Sequence, residues 1–197
     1  MTDSEISLHA TFKVTEGSLK IRYDIQNDRN APIVVFNRLW RPDSDGDEKA
    51  DVEGIYRFVD ERGVRLFLGT APLPAKHVFF KNRPEATRVE ARGVFGEDLT
   101  IALPVTEHSP YSSSPPNERV AFHTNAIELF VGYADATGIK TLASSLYPDA
   151  LRTLGPEASN GYRWLRSGRV TLPLEAMHQT GELARFVLPE ERDQVGP

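Results

Sequence analysis

The residues best spaced for chemistry are Asp43-Ser44-Asp45-Gly46-Asp47, followed by Asp51 and Glu53. Carboxylates at alternate positions can converge on one hard cation. Asp43, Asp45, Asp47 and Asp51 take the first, third, fifth and ninth places of a calcium-binding loop of the helix-loop-helix type. Glu48 stands where the glycine of the sharp turn belongs, and Gly54 where the bidentate acid belongs. The plainer reading of the same residues is a solvated acidic loop from Arg41 to Gly54, with calcium the one cofactor to consider.

The second candidate is Tyr162-Arg163-Trp164-Leu165-Arg166, with Arg169 close behind. Arginines interleaved with aromatics can bind anions and stack, so Arg163, Trp164 and Arg166 form a candidate patch for an acidic partner. The alternative is a strand whose aromatics fill core while its arginines reach water. Third comes the stretch from Pro104 to Asn117, rich in proline and serine. Long loops of this kind are functional or disordered. Pro110, Tyr111 and Pro115 are its candidate contact residues, since tyrosine favours interfaces.

Other chemistry finds no pattern. The five histidines lack the spacing of a metal pair. The chain has no cysteine, which excludes disulfides, thiolate metal sites and a catalytic thiol. Hydrolase, phosphate-loop and dinucleotide signatures are absent. The net charge of −5 argues against nucleic acid and anionic membranes as partners. No apolar run reaches the roughly 18 residues of a membrane span. The start, Met1-Thr2-Asp3-Ser4-Glu5, has neither the basic residues nor the apolar run of a secretory signal, so the expected location is the cytoplasm.

The elements that must position these residues are strands. From Ile6 to Val14 apolar and polar residues alternate without a break, the chain turns at Glu16-Gly17, and Leu19, Ile21, Tyr23 and Ile25 resume the alternation. Period two means a strand with one face buried. Ile33-Val34-Val35-Phe36 is apolar on both faces and reads as a central strand. Ile55 to Asp60 and Val64 to Leu68 form a second hairpin around Asp60-Glu61-Arg62-Gly63, a turn that needs positive φ at its glycine. Further strands are expected at 76–81, 87–95, 99–103, 119–123, 127–134 and 169–174, with a turn at Gly96-Glu97. Pro148-Asp149-Ala150-Leu151 has the form of a helix start, closed by Gly155-Pro156.

The spacing predicts an all-β, immunoglobulin-like antiparallel β-sandwich with one short helix, as a single domain over 1–188 and a flexible tail over 189–197. At 197 residues such a domain builds a core without staples.

Two segments carry a family resemblance. Leu19 to Phe36 gives an alternating strand, Asn27, a polar turn, Pro32 and an apolar strand. Tyr56-Arg57-Phe58-Val59-Asp60-Glu61-Arg62-Gly63-Val64 gives an aromatic strand, a D-x-x-G turn and a return strand. This order resembles the bacterial intracellular proteinase inhibitors of the BsuPI type, whose fold is an immunoglobulin-like sandwich. The resemblance implies a bacterial cytoplasmic protein and an inhibitory activity, but transfers no inhibitory residue. The family's Pro-Gly turn before its last strand has no counterpart at Arg92-Gly93.

The function expected is a non-enzymatic binding module, its partner another protein or a second copy of the chain. A proteinase inhibitor, a calcium- or carbohydrate-binding sandwich and a structural component of an assembly are the alternatives.

Overall fold

A computed structural model describes residues 5–42, 44–45, 47–51, 55–69, 84–109, 118–137, 139–146, 149–154 and 162–180. Its strands are β1 (Ile6–Thr15), β2 (Ser18–Asn27), β3 (Ile33–Arg38), β4 (Trp40–Pro42), β5 (Glu48–Ala50), β6 (Tyr56–Asp60), β7 (Gly63–Leu68), β8 (Glu85–Val89), β9 (Val94–Ala102), β10 (Val105–Thr106), β11 (Glu118–Asp135), β12 (Lys140–Ala143), β13 (Leu151–Leu154), β14 (Arg163–Arg166) and β15 (Val170–Thr180).

The first hairpin forms as its alternation demands. β1 and β2 pair in unbroken register from Ile6↔Asn27 to Thr15↔Ser18, and β9 adds on the far side of β2. Leu19, Ile21, Tyr23 and Ile25 are at most 1% exposed, while Val14 at the open end of β1 stays 42% exposed. This three-stranded sheet lies on one face of a larger one, ordered β10-β15-β11-β3-β8-β13-β12. β7 and β14 also pair with β11, and β6 pairs with β7. The layers share one core, in which Ile21, Tyr23 and Ile25 meet Val35, Leu66, Leu129 and Val131. Each such aliphatic side chain contributes about 1.5–3 kcal/mol on burial. The protein is therefore an all-β sandwich. Most pairings are antiparallel, but β7 and β10 run parallel to β11 and β15.

The reverse face of the large sheet explains why its central strands read as apolar throughout. Residues one step out of phase with the core carry Phe36 on β3, Tyr56 and Phe58 on β6, Phe67 on β7, Phe130 on β11 and Trp164 on β14. All but Trp164 are at most 2% exposed. Phe67 stacks on Phe130 at 4.5 Å and receives the edge of Trp164 at 5.6 Å.

Several expectations are corrected. The helix expected after Pro148 is not there: Leu151–Leu154 is a strand paired with Lys140–Ala143 and tied to β8 through Leu151↔Ala86, and no helix occurs among the described residues. Sheet pairing overrides the local start signal in a stretch too short to sustain a free helix. The single strand expected over 87–95 is two strands in different sheets, since the chain reverses at Ala91-Arg92-Gly93, with Arg92 at φ +59°. No turn occurs at Gly96-Glu97. Gly96 sits inside β9 opposite Asp24, where a Cβ would fall 2.1 Å from the Asp24 carboxylate and 2.4 Å from the Arg22 guanidinium. The glycine makes room for the Arg22–Asp24 ion pair of the neighbouring strand β2 and does not bend the chain. The strand pair expected at 119–123 and 127–134 is one strand, β11. Between the two stretches lies a bulge at Thr124–Ala126, where the Thr124 hydroxyl accepts from the Ala126 N–H at 3.4 Å. The acidic loop begins and ends in a short ladder, β4 with β5. The strand expected at 76–81 and the tail over 189–197 lie outside the described residues. No described helix is long and apolar enough to cross a membrane.

Candidate anion-binding cleft

Where the aromatic face ends, charge takes over. On β11 the residue two before Phe130 is Glu128, and on β7 the residue two before Phe67 is Arg65. On β14 Arg166 lies opposite Phe130, two residues beyond Trp164. Period two thus continues one aromatic row into one charged row.

Three local devices set this row in place. Asp60 closes the β6–β7 turn, accepting from the Arg62 N–H at 2.9 Å and from Arg65 Nη2 at 2.7 Å. Glu128 takes a fork from Arg166, Nε at 3.1 Å and Nη2 at 3.4 Å, while that guanidinium lies 5.1 Å from the centre of the Phe130 ring. Ser167 locks the bend between β14 and β15 onto β11. Its N–H donates to the Leu129 carbonyl at 3.0 Å, and its hydroxyl accepts from the Leu129 N–H at 3.1 Å. Arg169 follows two residues later.

The result is a cleft of about 460 Å³ lined by Arg62, Arg65, Arg166 and Arg169 with Glu128, at the edge of the buried Phe130 ring. Four guanidiniums are gathered here, and among the described residues Glu128 pairs with Arg166 and Asp60 with Arg62 and Arg65. Grouped guanidiniums are the side chains suited to recognising carboxylate or phosphate.

Of the three residues singled out in the sequence, Arg166 enters this cleft. Trp164 packs edge-on against Phe67 and Tyr162, and Arg163 shares the opposite face with core residue Leu165. Arg62 and Arg65 were legible only as turn and strand residues: they come from a hairpin a hundred residues away, joined to Arg166 through β11.

The acidic candidate stays apart from this site. Asp45 and Asp47 are exposed between β4 and β5, and the Asp51 N–H donates to the Leu39 carbonyl at 2.9 Å. Asp43 lies outside the described residues, as do Pro110, Tyr111 and Pro115. Among the described residues no three His, Asp or Glu side chains are grouped to hold a metal ion. Glu48 at the loop's end pairs with Arg152, which also donates to the buried Glu85 at 3.3 Å. The guanidinium is raised from its usual range, chiefly by its hydrogen bond to Glu48.

Two buried polar clusters had no signal in the sequence. Glu107, fully buried, accepts from the Val59 N–H at 2.9 Å and pairs with His178 Nδ1 at 2.8 Å. This clasps β6 to β15, beside the bridge of Arg57 to His108. Glu97 on β9 accepts from the Tyr23 hydroxyl at 2.6 Å and from Asn37 at 3.0 Å, and pairs with Arg38, which reaches Asp149 at 2.6 Å. Burial, with the Glu97 carboxylate beside it, pushes the Tyr23 phenol well above the usual tyrosine range.

No protein-family model, no curated protein and no solved structure matches this chain.

Proposed function

We propose that this protein is a non-enzymatic binding module that holds an acidic segment of another protein in the arginine cleft. One observation supports the reading above others: in a chain of net charge −5, four arginines from two distant parts of the sequence converge on one cleft. The scaffold beneath is rigid, since the cleft stands on β7, β11 and β14, whose opposite faces fill the main core. Recognition by grouped guanidiniums on a fixed frame needs no reacting group, which agrees with the absence of a catalytic motif in the sequence.

The test is affinity capture from the native cell extract with wild type and with Arg62→Glu/Arg169→Glu. Both side chains are largely exposed, so their reversal should change stability by no more than about 0.5 kcal/mol. The expected result is one stoichiometric protein held by wild type, released by salt and lost from the variant. Equal capture by both proteins would refute the cleft as the contact surface.

A further inference from the structure

β1 is an edge of the smaller sheet, whose order is β1-β2-β9. The hairpin decides which of its backbone groups face β2 and which face outward. The Asp28 N–H donates to the Glu5 carbonyl at 2.7 Å, one step beyond the register that runs from Ile6↔Asn27 to Thr15↔Ser18. Hydrogen-bonded pairs alternate along an antiparallel ladder. Ser7, His9, Thr11 and Lys13 therefore direct their backbone groups to β2. Ile6, Leu8, Ala10 and Phe12 direct theirs outward along the edge, while their side chains face the core. Among the described residues no strand pairs with that edge.

Edge strands are usually blunted by shortness, proline, a bulge or charge. β12, at the end of the larger sheet, has four residues and carries Lys140. β9, the other edge of the smaller sheet, contains Gly96 and Asp98. β1 has ten residues in unbroken register, with neither proline nor glycine. It is the longest open template among them.

The exposed row of β1 indicates which strand fits it. The row begins with Glu5, ends with Lys13 and has His9 midway. Lys13 stands directly opposite Lys20 of β2, and neither lysine has an ion pair among the described residues. Like charges facing across a strand pair are destabilising. Glu5, with 70% of its side chain exposed, lies 4.0 Å from Arg29, which is also paired with Asp135. An antiparallel copy of β1 about a two-fold axis at His9 sets outward-facing Ile6 against Phe12 and Leu8 against Ala10. The same register sets Glu5 against Lys13. Moving the axis by one residue sets Glu5 against Thr11 or Thr15 instead.

We propose that two copies of this chain pair through β1, antiparallel about a two-fold axis at His9, so that the two smaller sheets become one continuous sheet. Each Glu5 then meets the partner's Lys13, which also relieves the facing of Lys13 and Lys20. The partner's Ile6 comes beside Phe12, which is only half-buried in a single copy. The contact is isologous and closes at two copies. It does not depend on the arginine cleft.

The experiment is sedimentation of the full chain over a range of concentrations, for wild type, Glu5→Lys, Lys13→Glu and an equimolar mixture of the two variants. Both side chains are exposed, so each variant should fold, with a melting temperature close to that of wild type recorded as control. Wild type should sediment as a concentration-dependent dimer. Each substitution turns both attractive pairs into repulsive ones and should weaken the dimer by about tenfold. One copy of each variant places opposite charges at both contacts again, so the mixture should regain the affinity of wild type. A merely structural effect of either substitution would not be undone by mixing. Wild type that stays monomeric up to about 1 mM, a dimer indifferent to both substitutions, or a mixture no tighter than the separate variants would overturn the proposal.

Discussion

At the scale of single residues, the sandwich is keyed by polar groups placed inside it. Tyr23 belongs to the smaller sheet, Asn37 and Arg38 to the larger one, and all three converge on Glu97. Thr87 completes the set by donating to the Asn37 side-chain carbonyl at 2.9 Å. A slip of one residue between the sheets would strand these groups without partners, at about 1–3 kcal/mol each. Tyr23→Phe should therefore destabilise the fold by about 1–2 kcal/mol at neutral pH, read by denaturant unfolding. The same phenol gives a pH signature. In the unfolded chain it ionises near 10, but in the fold burial and Glu97 hold it neutral to higher pH. The stability tied to its proton is fully present below about pH 10, and is lost as the pH rises past 10 through the folded value. Wild type should lose stability more steeply than Tyr23→Phe above pH 10. Parallel alkaline profiles would contradict this reading of Tyr23.

At the scale of elements, β11 organises the molecule. It pairs with β15 and β14 along one edge and with β7 and β3 along the other. Leu129, fully buried at its middle, should cost about 2–5 kcal/mol when replaced by alanine. The entry of β7 beside it depends on Gly63. This residue has φ +121°, and a Cβ there would lie 2.4 Å from the Ala126 carbonyl oxygen. Gly63→Ala should destabilise by about 2–4 kcal/mol, because backbone strain and a clash with backbone act together. It should also weaken partner binding, since the same turn carries Arg62. An alanine variant with unchanged unfolding would show that the hairpin does not press on β11 as described.

The elements also show which parts of the structure the sequence could reveal. The first hairpin, β3 and the β6–β7 hairpin are read correctly because one local rule governs each: alternation, an apolar run, or a glycine turn. The split between β8 and β9 was hidden, because polar-apolar alternation runs on through Arg92 while the backbone reverses there. The β12–β13 pair was hidden by a proline signal that acts locally, against pairing with β8 that acts at a distance. The cleft was half legible. Arg166 and Arg169 stand out beside their aromatics, but nothing in 60–65 announces that Arg62 and Arg65 will join them. Their meeting depends on a parallel pairing of β7 with β11, and such long-range pairing leaves no periodic trace.

At the scale of the whole molecule, a chain of net charge −5 carries an arginine-lined cleft on the reverse face of its larger sheet. On the proposed reading, an acidic partner would be repelled at a distance and attracted only when aligned with the cleft, which favours selectivity over speed of encounter. The most direct test is hydrogen–deuterium exchange of the protein alone and bound to its captured partner. The account predicts that protection on binding is confined to residues 62–65, 127–130 and 166–169. Protection centred elsewhere, on β12 or on the outer edge of β1, with those three segments unchanged, would contradict it.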